Sequence, residues 1–352
     1  MIAEDKLSPR DVVKRAFQFK ETKDTPFRLE FERQDREYYE RMLTQTYGNE
    51  DWKTLAKPYI AILTGCSHFL NLETTADGLD VDSFGCKWEN ASKSSGSGGA
   101  TFHLIEPPLK SPSLQGYQLP NLKQYYCQSV FPQAEDLLLQ SRDSFRVGVH
   151  LFGLFERAWS LRGYTDFMTD LVDNKKFCEE LLEAIADWIM TSIDYLAELP
   201  LDAILITDDI ADQRGLVFGI DRFRSLFKPH WRRIFDRIHR YGLYTVLHMC
   251  GNPSDALPDL IECGLDCVES LQPEAMDVYT LKQEYGHDLR FWGGLGVQNL
   301  MPFGTAEEVD REVRLLRERM GSEGGYILAT SKDIARPMPI ENVVAYLEAA
   351  TA

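Results

Sequence analysis

His248 and Cys250 stand two residues apart in Tyr244-Thr-Val-Leu-His-Met-Cys-Gly-Asn252. The apolar run from Tyr244 to Leu247 reads as a buried strand that breaks at Gly251-Asn252 before a new helix. Residues i and i+2 of a strand point to the same side. An imidazole and a thiolate therefore aim together past the strand end, a two-ligand platform for an ion such as zinc. The same two residue types can also simply fill a core, so the elements around them have to decide.

Those elements alternate. A strand over Arg146 to Phe152 precedes a long helical pattern from Asn174 to Leu199, and Ala203-Ile-Leu-Ile-Thr-Asp-Asp-Ile210 is a strand ending in paired acids. A helix over Asp221 to Tyr241 leads into the His248/Cys250 strand. There follow a helix over Ser254 to Cys263, a strand Asp266 to Gln272, a helix Glu274 to Tyr285 and a strand Leu289 to Gly294. Thr305 to Met320 is an amphipathic helix, Gly325 to Ala329 a strand, and Ile340 to Ala349 a closing helix. Short strands separated by helices of this length predict a parallel sheet. Eight such units closing on themselves predict a (β/α)8 TIM barrel occupying residues 1–352 as one domain. No Gly-x-Gly-x-x-Gly follows a strand, which speaks against an open dinucleotide-binding sheet.

Nearer the start, Ser8 with Pro9 opens a helix to Lys20, Pro26 to Phe31 alternates like a strand, and Gln34 to Leu43 returns to helix. Tyr59 to Leu63 is a short apolar run, strand or buried helix. Residues 77–119 read as an inserted hairpin region. Its strands are Asp82 to Trp88 and Thr101 to Ile105, and its Ser/Gly-rich tip, Ala91 to Ala100, is a lid or mere decoration.

The 352 residues include 44% hydrophobic and 11% aromatic residues, ample for a large core. Fifty-five acidic residues against 38 basic ones leave a net charge of −17. That balance excludes a non-specific nucleic-acid binder and an anionic membrane surface as partners. No signal-like or membrane-spanning apolar run is present, and the seven scattered cysteines fit reduced thiols in a cytoplasmic protein. The partners expected are small molecules or a complementary protein.

In a barrel the active site lies at the C-terminal ends of the strands. There the sequence places His150, Asp208 and Asp209, His248 and Cys250, Glu269 and Gln272, and Ser331-Lys332-Asp333. Several successive polar strand ends favour a site over core filling. Asp208 and Asp209 are candidate ligands or acid–base groups, one of them a helix cap. Glu156-Arg157, past the third strand, reads as an ion pair steadying the rim, and Met249 as packing behind the site.

These stretches in this order resemble the uroporphyrinogen decarboxylase superfamily, and within it the corrinoid-linked methyltransferase branch. The resemblance is carried by Phe152-Gly-Leu-Phe-Glu-Arg-Ala-Trp-Ser-Leu-Arg-Gly163, Thr207-Asp-Asp209, His248-Met-Cys-Gly-Asn252, Gln272-Pro-Glu-Ala-Met-Asp277, Phe291-Trp-Gly-Gly294 and Gly324 to Ala329. It implies a (β/α)8 barrel, to which the residue pattern adds N-terminal helices. The Arg-rich N-terminal motif and the late Gly-His-Gly of the true decarboxylases are absent. The methyltransferase branch implies zinc on His248 and Cys250, with a third Cys that this chain lacks after its last strand. The resemblance leaves Glu269 as the expected third ligand, with Asp208 or Asp209 as alternatives.

The expectation that follows is methyl transfer assisted by zinc, between a small molecule and a cobalamin on a separate corrinoid protein. The donor would be a methoxylated aromatic, methanol or a methylamine; the acceptor a thiol or tetrahydrofolate. Asp208, Asp209 and Gln272 are the expected catalytic groups, and His150, Trp292 and Lys332 the expected substrate contacts. The alternatives are a decarboxylase-like lyase acting through the strand-end carboxylates, and a non-catalytic corrinoid-binding barrel.

Overall fold

The computed structural model describes residues 7–90 and 102–352. Eight parallel strands form its centre: β1 (Phe27–Arg28), β2 (Ile60–Cys66), β7 (Phe145–His150), β8 (Ala203–Thr207), β11 (Tyr244–His248), β12 (Cys267–Leu271), β13 (Arg290–Leu295) and β14 (Tyr326–Thr330). They neighbour one another in chain order, and the last pairs back onto the first, Phe27 against Leu328. Sequential parallel order with the ends joined is the (β/α)8 barrel that the alternation predicts. Among the described residues no ladder joins β1 to β2; the seam is instead packed by the Phe27 and Tyr59 rings, 5.5 Å apart.

The strands are short and apolar because a parallel sheet under helices is covered on both faces. All of Ala203 to Ile206 is buried. The helix Lys175–Leu196 buries Cys178, Leu181, Leu182, Ile185, Ala186 and Ile189 along one stripe, the spacing of an amphipathic helix laid on a sheet. At the opposite end from the strand C-termini the helix Pro9–Phe17, held by a Ser8–Asp11 capping box, places Phe17 on Phe145 and Tyr244 at 4.9 and 4.7 Å. Its Arg10 pairs with Asp202, just before β8, at 2.8 Å. That end is closed by packing, which leaves the other end for chemistry.

Several boundaries differ from the sequence expectation for local reasons. The insert is a four-stranded antiparallel sheet, β3 (Leu72–Thr74), β4 (Asp80–Asp82), β5 (Lys87–Asn90) and β6 (Phe102–Glu106), not a single hairpin. The expected strand Asp82 to Trp88 is interrupted by a turn over residues 83–86: Asp82 accepts from the Phe84 and Cys86 N–H groups at 2.9 Å and from Trp88 Nε1 at 2.8 Å. The Ser/Gly tip lies outside the described residues. The helix expected from Glu274 begins at Val278, because Asp277 caps it through the Tyr279 and Thr280 N–H groups. The helix expected over Asp221 to Tyr241 contains a π-helical turn, Phe223–Phe227, before Lys228–Arg240. Unforeseen were the helices Leu154–Arg162 and Tyr164–Asp173 and the small hairpin of β9 (Ala211–Asp212) with β10 (Gly215–Leu216).

Candidate functional site

Register across the parallel ladders sets the site. Thr207 of β8, His248 of β11, Glu269 of β12 and Trp292 of β13 are neighbours in consecutive pairings. Partners in a ladder share a face, so all four project to the inside of the barrel. They line a cavity of about 240 Å³ at the C-terminal mouth, with Arg28, Glu30 and Glu32 on one flank and Lys332 and Asp333 on another. A cavity of similar size, about 250 Å³, lies among Arg15, Asp24 and Lys57 beside the N-terminal helix and brings together no imidazole or thiol. The chemistry points to the mouth.

There the His248 Nε2 lies 3.5 Å from Cys250 Sγ and 3.9 Å from Asp209 Oδ1, and the three atoms all fall within 4.8 Å of one another. A tetrahedral zinc centre with nitrogen near 2.0 Å and sulfur near 2.3 Å holds those two donors about 3.5 Å apart. The donor set and its spacing fit the metal. The sequence expectation named Glu269 as third ligand. The structure puts its carboxylate against Nδ1 of His248, behind the imidazole, and brings Asp209 to the Nε2–Sγ side. A carboxylate on the far ring nitrogen orients the imidazole and selects its tautomer. Burial works against a cationic His248, but Glu269 and Cys250 outweigh it and hold the imidazole well above its ordinary pKa.

The turn that follows is fixed from three sides. Asp209 Oδ1 accepts the Cys250 N–H at 2.9 Å, Gln272 Oε1 accepts the Gly251 N–H at 3.1 Å, and the Asp212 carbonyl accepts the Asn252 N–H at 2.8 Å. Gly251 has φ of 80°, and a Cβ there would lie 2.5 Å from the Asp212 carbonyl oxygen, so glycine is required. Gln272 thus braces the Cys250 loop from behind. Ser270, at φ 72°, marks the bulge that shifts β12 against β13 before Gln272. Met249 is buried, as expected.

The two acids after β8 divide. Asp208 is fully buried and accepts the Phe155 and Glu156 N–H groups at 3.0 and 2.8 Å, satisfying the start of the helix Leu154–Arg162. Burial pushes its carboxyl up to about 7 against the pull of those donors. His150 does not reach the mouth. It follows inward-facing Val149 and so turns outward, with Nδ1 on Ser192 Oγ at 2.8 Å and its ring against Trp188. Trp292 and Lys332 do line the cavity.

Glu156 and Arg157 form no ion pair with each other among the described residues. Arg157 is buried over the Phe84 ring at 3.6 Å and donates to the His68 carbonyl at 2.7 Å, tying the insert to the barrel. Glu156 instead accepts from Thr207 Oγ1 at 3.2 Å, and burial followed by Asp209 pushes it up to about 8. Thr207, Arg28 and Glu32 also belong to the mouth and went unassigned in the sequence; only the position of Thr207 at a strand end could have flagged any of them.

The model for the uroporphyrinogen decarboxylase family matches residues 103–352, well over half of the chain. The chain belongs to the uroporphyrinogen decarboxylase family. A methylated-thiol–coenzyme M methyltransferase of Methanosarcina mazei is 26% identical to this family member over 168 residues, 48% of this chain and 42% of that protein. A methylcobamide:CoM methyltransferase of Methanosarcina barkeri is 23% identical over 200 residues, 54% of this chain and 56% of its own. The chain spans about half the length of these curated relatives. A solved methyltransferase from Methanosarcina mazei shares the fold, with a TM-score of 0.71 at 19% identity and 98% of both chains covered.

Proposed function

We propose that this family member transfers a methyl group between a small molecule and a corrinoid carried by a second protein, assisted by zinc on His248, Cys250 and Asp209. The observation that carries the reading is the convergence of one imidazole nitrogen, one thiol sulfur and one carboxylate oxygen within 4.8 Å at the barrel mouth. Two methyltransferases among the curated relatives support the same direction. When bound, zinc supplies Lewis acidity, lowering the pKa of a coordinated heteroatom and stabilising charge as a methyl group departs or arrives.

The chain's own residues prepare that centre. Glu269 accepts a hydrogen bond from Nδ1–H of His248, so Nε2 is the ring nitrogen that would bind the metal as its proton is displaced. Asp209 and Gln272 fix the loop bearing Cys250 through its backbone N–H groups, so the thiol is presented without a search of conformations. The inward ring of Trp292 and the side chains of Val149, Leu151 and Leu205 give the cavity an apolar wall that excludes water around the reacting atoms. The small molecule is a methoxylated aromatic, methanol or a methylamine as donor, or a thiol or tetrahydrofolate as acceptor, and the protein works in the cytoplasm.

The lyase alternative is less well supported, since Asp208 commits both carboxylate oxygens to helix N–H groups. The test is metal analysis of the purified chain together with loss of methylcobalamin absorbance when a thiol is added. The proposal expects close to one zinc per chain and turnover, with both largely lost in Cys250→Ser. Full zinc and full turnover in that variant would overturn it.

A further inference from the structure

The flank of the cavity farthest from the donor trio is built by β1 and the loop after β14. Its charges are unevenly matched. Arg28 faces Glu30 at 3.3 Å and Asp333 at 3.8 Å, and Arg36 also reaches Glu30. Glu269 is engaged by His248. The Glu32 side chain, half-buried in the cavity wall, makes no ion pair or hydrogen bond among the described residues. Its backbone is nonetheless fixed, donating to the Ile334 carbonyl at 2.9 Å beside the Phe31–Ile334 bridge.

The cavity wall therefore holds the four carboxylates of Glu30, Glu32, Glu269 and Asp333 against the two cations Arg28 and Lys332. With Arg36 counted against Glu30, the wall keeps one unmatched carboxylate when His248 is neutral, as a zinc ligand must be. Partly apolar walls weaken screening, so the imbalance acts on whatever enters. Trp292, in register with Glu269, also lines the cavity. Burial and the nearby Asp333 push the Glu32 carboxyl above its ordinary range, and Lys332 only partly opposes them.

We propose that the substrate of this site is cationic or uncharged at the end remote from His248 and Cys250, and that Glu32 is the residue that reads that end. The inference rests on the methyl-transfer reading only for the assignment of a heteroatom to the His248–Cys250 end. It names a substrate class: thiols, ethers or amines with a neutral or ammonium tail, in preference to those with a carboxylate or sulfonate tail.

Three thiols with the same two-carbon spacer separate the outcomes: (2-mercaptoethyl)trimethylammonium, 2-mercaptoethanol and 2-mercaptoethanesulfonate. Each is titrated calorimetrically into the zinc-supplemented full chain at low salt, for the wild type and for Glu32→Gln. The expected result is that the ammonium thiol binds at least about tenfold more tightly than the sulfonate, and that Glu32→Gln shrinks this ratio to about threefold or less. Equal or tighter binding of the sulfonate by the wild type overturns the inference and leaves the metal–thiol reading standing. An undiminished ratio in Glu32→Gln removes Glu32 from the role. Failure of all three thiols to bind sinks both readings.

Discussion

The placement of Asp209 and Glu269 around His248 makes a quantitative prediction about metal affinity. Glu269 touches only Nδ1, so Glu269→Gln keeps a hydrogen bond there and loses its charge. A hydrogen bond to a charged group is worth about 1.5–3 kcal/mol, roughly twice its neutral counterpart, so the change forfeits about 1–1.5 kcal/mol. With tenfold in affinity for each 1.4 kcal/mol, zinc binding should weaken by roughly tenfold, the lower end of what partners behind a ligand usually cost. Asp209→Asn removes the anionic oxygen on the Nε2–Sγ side and should cost more than about a hundredfold. Competition with a chromophoric chelator at neutral pH gives both affinities, and circular dichroism confirms that each variant is folded. The reverse order, with Glu269→Gln stripped of zinc and Asp209→Asn retaining it, would refute the assignment of Asp209 as the third ligand.

Other perturbations probe the scaffold. Asp208→Ala leaves the Phe155 and Glu156 N–H groups unsatisfied in a fully buried position and should lower stability in urea by about 2–4 kcal/mol; an unchanged midpoint would show that the cap is dispensable. Gly251→Ala forces a Cβ into the Asp212 carbonyl at a φ of 80°. It should cost at least about 1 kcal/mol and weaken zinc binding in parallel, and zinc affinity equal to wild type would separate the loop from the site. The Asp266 hydrogen bond, opposed by burial, raises the His239 pKa above its ordinary 6.5. A folded-state pKa raised above the unfolded one adds stability that is complete below pH 6.5 and is lost as the pH climbs through the folded value. The denaturation midpoint should therefore fall more between about pH 6 and pH 9 in wild type than in His239→Gln, and identical profiles would contradict this.

The barrel was legible because its signals are local. Strands such as Ala203 to Ile206 are continuous apolar runs and helices such as Lys175–Leu196 carry a 3.6-residue stripe, so both report their burial directly. His248 and Cys250 do meet, Nε2 to Sγ 3.5 Å, but the strand ends at His248, so the turn that carries Cys250 brings them together and strand alternation does not. Alternation, applied to β7, would have turned His150 outward beside inward Val149, but its phase is unknown until one residue's face is known. The helix over Leu154–Arg162 escaped notice because its cap, Asp208, lies 53 residues from Phe155 in the chain. Its own stretch begins Phe152-Gly153, without a local capping residue.

By itself, then, the sequence determined the alternation of elements and the closeness of His248 and Cys250 at the end of β11, the platform of the proposed metal site. The choice between Asp209 and Glu269 as the oxygen beside that platform belonged to the tertiary structure. Both carboxylates follow or occupy a strand adjacent to His248, and pattern alone cannot say which ring nitrogen each will meet. Ladder register put Glu269 directly alongside His248, where it meets Nδ1. The loop after β8, folded back against the small β9–β10 hairpin, carried Asp209 over to Nε2 and the Cys250 N–H. Those positions depend on strand offsets and on contacts between segments about 40 residues apart, as between Asp209 and Cys250. Such distances are set only when the barrel closes.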